Sequence, residues 1–387
     1  QLLVSRKFSE SFSFQVAPKV LESALSKAAA VVATSNAPQG KNFMLEVEDK
    51  CLSVLAFSSD TFVRLRVTEA KAKGSGVFGF DVARLQGIIK NRSEMEFNYD
   101  GADCAFKVLK GKYEGKFVTL PLGHDFESLL ANFTKKLKSD SGSNRLSRDT
   151  MEKIRDGLRL TAIKDVYADK PLVSYLDMSN NKLTVSTLDT NHFAHFTADV
   201  DSKKSFRIAL PISHFNVIDK VAQDDKFAEF EACNTHLRIQ SGAASMILPA
   251  TQADEETFSL VPQFIKSMKK PTLAASYDHE SLCTVIDNMF TLYTVNSKLQ
   301  FSHKEGKPTI SVAFSTQSGS ASDSIGIKSK IDASFSENVD PRLFKDSLSV
   351  LKAQKKVVFA VIAGRALVFK SKISDTAEVV IVTSVSE

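Results

Sequence analysis

Residues 18–67 read PKVLESALSKAAAVVATSNAPQGKNFMLEVEDKCLSVLAFSSDTFVRLRV, and within them the apolar spacing changes once. From Pro18 to Val32 the apolar positions Val20, Leu21, Ala24, Leu25, Ala28, Val31 and Val32 recur every three or four residues, the period of a half-buried helix. From Phe43 onward the runs are short and β-type: Phe43–Glu48, Cys51–Phe57 and Phe62–Val67, with Asp49-Lys50 where a hairpin needs a turn. Phe12–Val16 reads as a strand ahead of the helix, so the stretch forms a unit of one strand, one helix and three strands.

That unit recurs. Helical patterns begin near Pro18, Asp81, Arg148, Pro211, Asp278 and Asp340. The starts at 18, 148 and 278 are evenly spaced by about 130 residues, and those at 81, 211 and 340 repeat the same step. The stripes are Val82, Leu85, Ile88 and Ile89 in the second helix, and Met151, Ile154 and Leu158 in the third, behind Ser147 as cap. The fourth carries Ile212, Phe215, Ile218 and Val221, with Pro211 in its first turn. The fifth has Leu282, Val285, Ile286 and Met289 behind Asp278, and the sixth has Leu343, Leu348 and Leu351 behind Asp340-Pro341.

Each helix is followed by three strand-like runs. After the second they are Met95–Tyr99, Cys104–Leu109 and Lys116–Leu120; after the fifth, Lys298–His303, Thr309–Phe314 and Ser324–Lys330. One helix covers one face of a sheet, so two units must pair to bury a core, which explains a period of about 130 rather than 65. The expected class is α+β, with three similar domains: 1–134, 145–256 and 257–387. The polar segment KKLKSDSGSN (135–144) serves as the first linker and the region around Gln252–Pro271 as the second.

Composition sets bounds. The chain of 387 residues is too long for one ordinary core. No apolar run approaches the roughly 18 residues that cross a bilayer. Arg6, Lys7 and Glu10 break any secretory signal pattern at this end. Cys51, Cys104, Cys233 and Cys283 are far apart, so free thiols and a reducing cytoplasm are expected. A net charge of +5 leans toward polyanions without deciding for them.

No catalytic or cofactor motif survives inspection. Gly74-Ser75-Gly76-Val77-Phe78-Gly79 spells GxGxxG, but TEAKAK rather than a strand precedes it and Val77-Phe78 start a strand of their own, so it reads as a turn. His192 and His195, three apart on a strand, face opposite sides and cannot share a metal. Carboxylates are scattered, and there is neither a phosphate-binding loop nor a nucleophile elbow. The expectation is a non-enzyme without cofactor or metal.

Three domains of paired strand–helix–sheet units resemble the β-type sliding clamp of bacterial DNA polymerases along essentially the whole chain. In the first domain LESALSKAAAVV and FMLEVEDKCLSVLAFSSDTFVRLRV are similar to that family's opening helix and hairpin; GVFGFDVARLQGIIK and KFVTLPLGHDFE resemble its second helix and closing Leu-Pro stretch. In the middle domain NKLTVSTLDTNHFAHF resembles the strand and Asp-Gly-His-Arg-Leu-Ala turn, here Asp189-Thr190-Asn191-His192-Phe193-Ala194. That turn departs from the family, and so does the end IVTSVSE, which lacks the usual Met-Pro-Met-Arg-Leu-like tail. A bacteriophage clamp with its own partners would show such departures.

The resemblance implies a ring with helices inside and sheets outside, closed around duplex DNA to keep a replicative polymerase attached, and opened by a clamp-loader ATPase. A dimer is implied over a trimer. A helical wall holding phosphates weakly and without base readout has as candidates Lys19, Lys27, Arg84, Lys90, Arg92, Arg148, Lys153, Arg155, Arg342, Lys345 and Lys352. A lone basic residue on a helix is ordinarily just solvated, so only shared orientation gives these meaning. The fifth helix is acidic instead, with Asp278, Glu280 and Asp287. A groove for partner peptides is implied at Leu188, Thr190, Phe193, Val261, Pro262, Ile381, Val382 and Val385, and a subunit contact at Phe117, Phe290 and Leu292. The rival readings are a repeat-built scaffold or virion protein with no central hole, and an enzyme with a site assembled from distant residues.

Overall fold

The computed structural model describes residues 11–33, 42–58, 60–122, 126–137, 144–163, 173–189, 191–201, 205–222, 227–233, 235–250, 260, 263, 266 and 273–385. The first half-unit runs β1 (Phe12–Val16), α1 (Pro18–Ala33), β2 (Asn42–Glu48), β3 (Cys51–Phe57) and β4 (Phe62–Val67), with an extra β5 (Lys71–Gly74). The second has β6 (Gly76–Gly79), α2 (Val82–Ile89), β7 (Met95–Tyr99), β8 (Asp103–Val108) and β9 (Glu114–Val118), then α3 (Phe126–Leu137). The third has β10 (Asn144–Ser147), α4 (Arg148–Leu160), β11 (Val173–Ser179), β12 (Lys182–Leu188) and β13 (His192–Asp199). The fourth has β14 (Phe206–Pro211), α5 (Phe215–Val221), β15 (Phe227–Ala232), β16 (His236–Ser241) and β17 (Ala244–Pro249). The fifth has β18 (Leu273–Ser276), α6 (His279–Met289), β19 (Lys298–His303), β20 (Thr309–Thr316) and β21 (Gly319–Gly326). The sixth has β22 (Phe335–Val339), α7 (Pro341–Leu351), β23 (Val357–Ile362), β24 (Ala366–Ser374) and β25 (Ala377–Ser384).

All six anticipated helices are present. Three are capped by an aspartate side chain that accepts from a first-turn amide. Asp81 accepts from Arg84 at 2.8 Å, Asp278 from Ser281 at 3.3 Å, and Asp340 from Arg342 at 2.8 Å. Pro341 follows the last of these caps, at the first helical position where its missing N–H is harmless. Pro211 differs from expectation. It ends β14 on a sheet edge, where its missing N–H costs no ladder bond, and a 3-10 turn over Ile212–His214 leads into α5. The hairpin turns follow their residues. Positive φ occurs at Asp49 (51°), Lys50 (64°), Asn180 (52°) and Asn181 (59°).

The strand before each helix does not join its own half-unit's sheet. β1 pairs with β7 and β6 with β2; β10 with β15 and β14 with β11; β18 with β23 and β22 with β19. Every half-unit thus lends its leading strand to its sibling, which is the structural reason for the doubled period. The GxGxxG stretch serves this exchange: Gly74 (φ 80°) closes β5 against β1 while Gly76 opens β6 in another sheet.

The strands form sheets ordered β5-β1-β7-β8-β9, β10-β15-β16-β17-β4-β3-β2-β6, β14-β11-β12-β13-β25-β24-β23-β18 and β21-β20-β19-β22. By compactness the chain divides into one unit of Gln1–Arg148 with Ser213–Ala250 and a second of Asp149–Ile212 with Thr251–Glu387, so the middle third contributes a half-unit to each.

In the first unit α1 packs on β3 and β4 and against α2 and α5. In the second, α4 lies so close on the sheet that a Cβ at Gly157 would meet Val185 at 2.6 Å and Phe196 at 2.7 Å. That close approach explains a glycine in mid-helix despite its cost of about 1 kcal/mol.

Three further elements correct the sequence reading. TEAKAK, read as no strand, supplies most of β5 (Lys71–Gly74), so a strand does precede the GxGxxG stretch, but it pairs antiparallel with β1 and leads into β6 rather than a helix. Lys135–Leu137, read as linker, are the last turn of α3. Its stripe Phe126, Leu130 and Phe133 buries against Phe57, Phe62 and Ile247 on the sheet face away from α1, and the buried Arg238 reaches the Leu137 carbonyl at 3.3 Å. The strand read at Ser324–Lys330 lies earlier, at Gly319–Gly326; its edge position exposes both faces and erases the apolar alternation.

Candidate nucleic-acid interface and subunit edges

The candidate cations fall into two groups. Lys19, Arg84, Lys90 and Arg148 are exposed, Lys19 and Arg84 in the first turns of α1 and α2, Arg148 at the start of α4 and Lys90 at the α2 C-cap. Lys19 and half-buried Lys27 line one cleft of about 510 Å³ along α1, together with Arg66 from the end of β4, which pattern reading of helices could not find.

The second group is held within the fold. Lys153 Nζ donates to Asp149 at 2.7 Å and to the Asp199 carbonyl at 2.9 Å, and Arg155 lies 4.0 Å from Glu152. Arg92 lies beyond the end of α2, its guanidinium 4.0 Å above the Tyr113 ring, a cation–π contact. On α7, Arg342 is 6.0 Å from the Tyr293 ring centre, Lys345 is 4.3 Å from that of Phe290, and both Lys345 and Lys352 reach Asp287.

Asp287 accounts for part of the acidic fifth helix. Its oxygens lie 3.0 Å from Lys352 and 3.1 Å from Lys345. These bonds, that to Lys352 foremost, hold its carboxyl below the usual range. Glu280 is in the first turn of α6, where a carboxylate opposes the helix dipole favourably.

The implied groove residues separate by strand parity. Phe193 and Val382 are cross-strand partners on the sheet face opposite α7, packed with Ala366, Val368 and, at the margin, Leu188. Phe193 is only 3 % exposed, a floor rather than a rim. Ile381 is on the other face with the buried core, next to Thr383, whose hydroxyl bonds Ser347 of α7 at 2.7 Å; it is therefore not part of that surface. Val385 follows β25, its N–H bonded to the Arg365 carbonyl at 3.0 Å. Thr190, Val261 and Pro262 lie outside the described residues.

Among the subunit-contact candidates, Phe117 is buried in β9 against Phe78 and Phe106, so it faces the domain's own core. The exposed apolar positions are its neighbours Val118 (68 %) and Leu120 (48 %). Just past the end of α6, half-buried Phe290 stacks on Tyr293 at 5.0 Å, while Leu292 (42 %) and Val295 (83 %) are exposed.

Buried polar groups have ordinary structural duties. His192 donates to the Leu343 carbonyl at 2.9 Å, and His195 shares a 2.7 Å hydrogen bond with Ser186 on the opposite sheet face. Burial lowers the His195 pKa to about 4 and raises the Cys104 thiol to about 12. This cysteine therefore stays an inert thiol. Among the described residues no three His, Cys, Asp or Glu side chains converge to hold a metal, and no helix is long and apolar enough to cross a membrane.

The fold is that of a DNA clamp. It is shared with solved structures across nearly the whole chain. A DNA polymerase sliding clamp from Bacillus subtilis matches at TM-score 0.77 and 13 % identity, over 98 % of this chain and 100 % of that one. The beta subunit from DNA polymerase of Streptococcus pyogenes matches at 0.79 and 12 %, over 97 % and 100 %. The DNA polymerase III beta subunit of Thermotoga maritima matches at 0.78 and 13 %, over 97 % and 99 %. No protein-family profile and no curated protein matches the sequence itself. The chain has the bacterial sliding-clamp fold, written in a sequence that keeps about one residue in eight of these clamps.

Proposed function

We propose that this protein is a DNA sliding clamp: two copies close into a ring around duplex DNA and keep a replicative polymerase on its template. Partners of this kind would dock on the Phe193–Val382 face, and a clamp-loader ATPase would open the ring. The chain carries three domains, the first ending with α3 at Leu137 and the third beginning near residue 257, and the work is mechanical rather than catalytic, in the cytoplasm of the cell that replicates the DNA.

One observation carries the reading. Inside the chain, sheets from different domains join where the third strand of one half-unit meets the third strand of another. β4 pairs antiparallel with β17, setting Phe62 opposite Ile247, and β13 pairs with β25, setting Phe193 opposite Val382. The two remaining third strands, β9 and β21, are the outer strands of their sheets. An unpaired outer strand is a template for another chain. Two copies related by a two-fold axis satisfy both edges at once, β9 of each with β21 of the other, and closure ends growth.

The seams also supply the register. Phe62 and Phe193 are paired with Phe57 and Leu188 in their hairpins, the position held by Ser320 opposite Ser315 in β21. Ile247 and Val382 directly precede Leu248 and Thr383, which pair with Leu237 and Leu367; Lys116 likewise precedes Phe117, which pairs with Cys104. The joined edges should therefore set Lys116 opposite Ser320 and Gly115 opposite Ala321.

The test uses topology. The protein is mixed with linear duplex, the DNA is ligated into circles, and complexes are separated at salt high enough to release phosphate contacts. Retention on circles with loss after one restriction cut is expected. Loss from circles and linear DNA alike would favour a scaffold with no enclosed hole.

A further inference from the structure

We infer that Asp287 is a built-in brake on DNA affinity, holding two lysines of α7 away from phosphates so that the ring slides instead of sticking. The inference rests on the proposed clamp function and concerns how strongly one part of the helical wall attracts the duplex.

The geometry is specific to the end of α6. One carboxylate serves two amines of the neighbouring helix, Lys345 at 3.1 Å and Lys352 at 3.0 Å. The two lysines are two helical turns apart and hence on one side of α7. Phe290, three residues beyond Asp287, puts its ring 4.3 Å from the Lys345 amine. Asp287 is itself exposed, so the pairing is not forced by burial. An exposed carboxylate held below the usual carboxylate range by its lysines stays charged at any pH where DNA is copied. On α1, Lys19, Lys27 and Arg66 line one cleft together with Glu69.

A lysine already paired inside the protein displaces fewer counterions when a phosphate arrives, because the phosphate must compete with Asp287. A duplex held by fewer such contacts moves along the wall with smaller barriers. Removing the carboxylate should free both amines for phosphate, each adding up to ~0.9 to the slope of log affinity against log salt.

The experiment compares Asp287→Asn with Glu280→Gln, an exposed acid near the start of α6 whose loss changes net charge equally. Binding to a linear duplex is measured across a salt series. Asp287→Asn should tighten binding roughly 3- to 10-fold at low salt, the combined size of two exposed ion pairs, and steepen the slope by about 1 to 2. Glu280→Gln should do much less, and adding Lys345→Gln and Lys352→Gln should cancel the gain. Equal effects of the two acid variants, or no effect of Asp287→Asn, would overturn the inference. Retention of the unaltered protein on circles, scored separately, shows whether the clamp reading itself has failed.

Discussion

The β4–β17 seam and the outer strand β9 occupy the same structural position, third in a half-unit, yet they are built of different residues. The seam is largely apolar: Phe62 and Ile247 lie under α3 on one side, with Arg64 opposite Ser245 as the polar pair of that face, and Val63 and Leu65 are buried on the other. β9 reads EGKFV with only Phe117 buried, and β21 reads GSASDSIG with only Ile325 buried. A strand that is never parted can bury large apolar side chains on both sides. An edge strand open to water carries charge and small polar residues against misassembly. A ring of this chain would therefore come apart at β9 and β21, between copies.

The largest effect is expected at the edge. Proline at Ala321 or Ser322, whichever amide points outward, removes a donor from a strand that tolerates proline at its border. Loss of self-association with an unchanged melting profile of the monomer is expected in sedimentation and thermal scans; dimers that persist in both variants would place the contact elsewhere. The seam should respond oppositely. Phe133, stacked on Phe62 at 4.9 Å, fills the outer face. Phe133→Ala should cost about 3–5 kcal/mol in denaturant unfolding while self-association is retained.

The two internal seams sharpen each other through pH. On β4 the outward residue two beyond Phe62 is Arg64, 3.3 Å from Glu46; two beyond Phe193 it is the buried His195. With its folded pKa depressed to about 4, His195 is neutral where an unfolded histidine already binds a proton. Its neutral form favours the fold fully above the unfolded pKa near 6.5, and that stability falls as pH drops from about 6.5 to about 4, by roughly 3 kcal/mol. His195→Gln should flatten the pH dependence of unfolding in this window; an unchanged slope would assign the acid sensitivity to other groups.

The smallest expected effect tests register. Aspartates at both Lys116 and Ser320 would place like charges opposite each other and weaken association by about 0.2–1 kcal/mol, whereas Lys116→Asp with Ser320→Lys should restore it. Concentration-dependent sedimentation reads both.

How much of this was legible in the sequence depended on whether a pattern met one consistent environment. The six helices and most strands faced a core on one side and water on the other, so period alone placed them. α3 was missed although Phe126, Leu129, Leu130, Phe133 and Leu137 mark a helical stripe, because KKLKSDSGSN beside it reads as linker and the repeat assigns no helix there. β21 was misplaced because an edge strand shows no alternation. The exchange of leading strands is topological and leaves no mark on local spacing. For the candidate site, basic residues are legible and their partners are not: nothing local links Asp287 to Lys345 and Lys352, whereas strand parity alone separates Ile381 from Val382.

Closure of the chain on a second copy through β9 and β21 can be trapped with a disulfide. In a background of Cys51→Ala, Lys116→Cys is combined with Ser320→Cys and the protein is oxidised. A single covalent species of two chains is predicted, formed far more readily than with Lys116→Cys and Ser322→Cys. A ladder of longer oligomers, or chains that remain single, would contradict it.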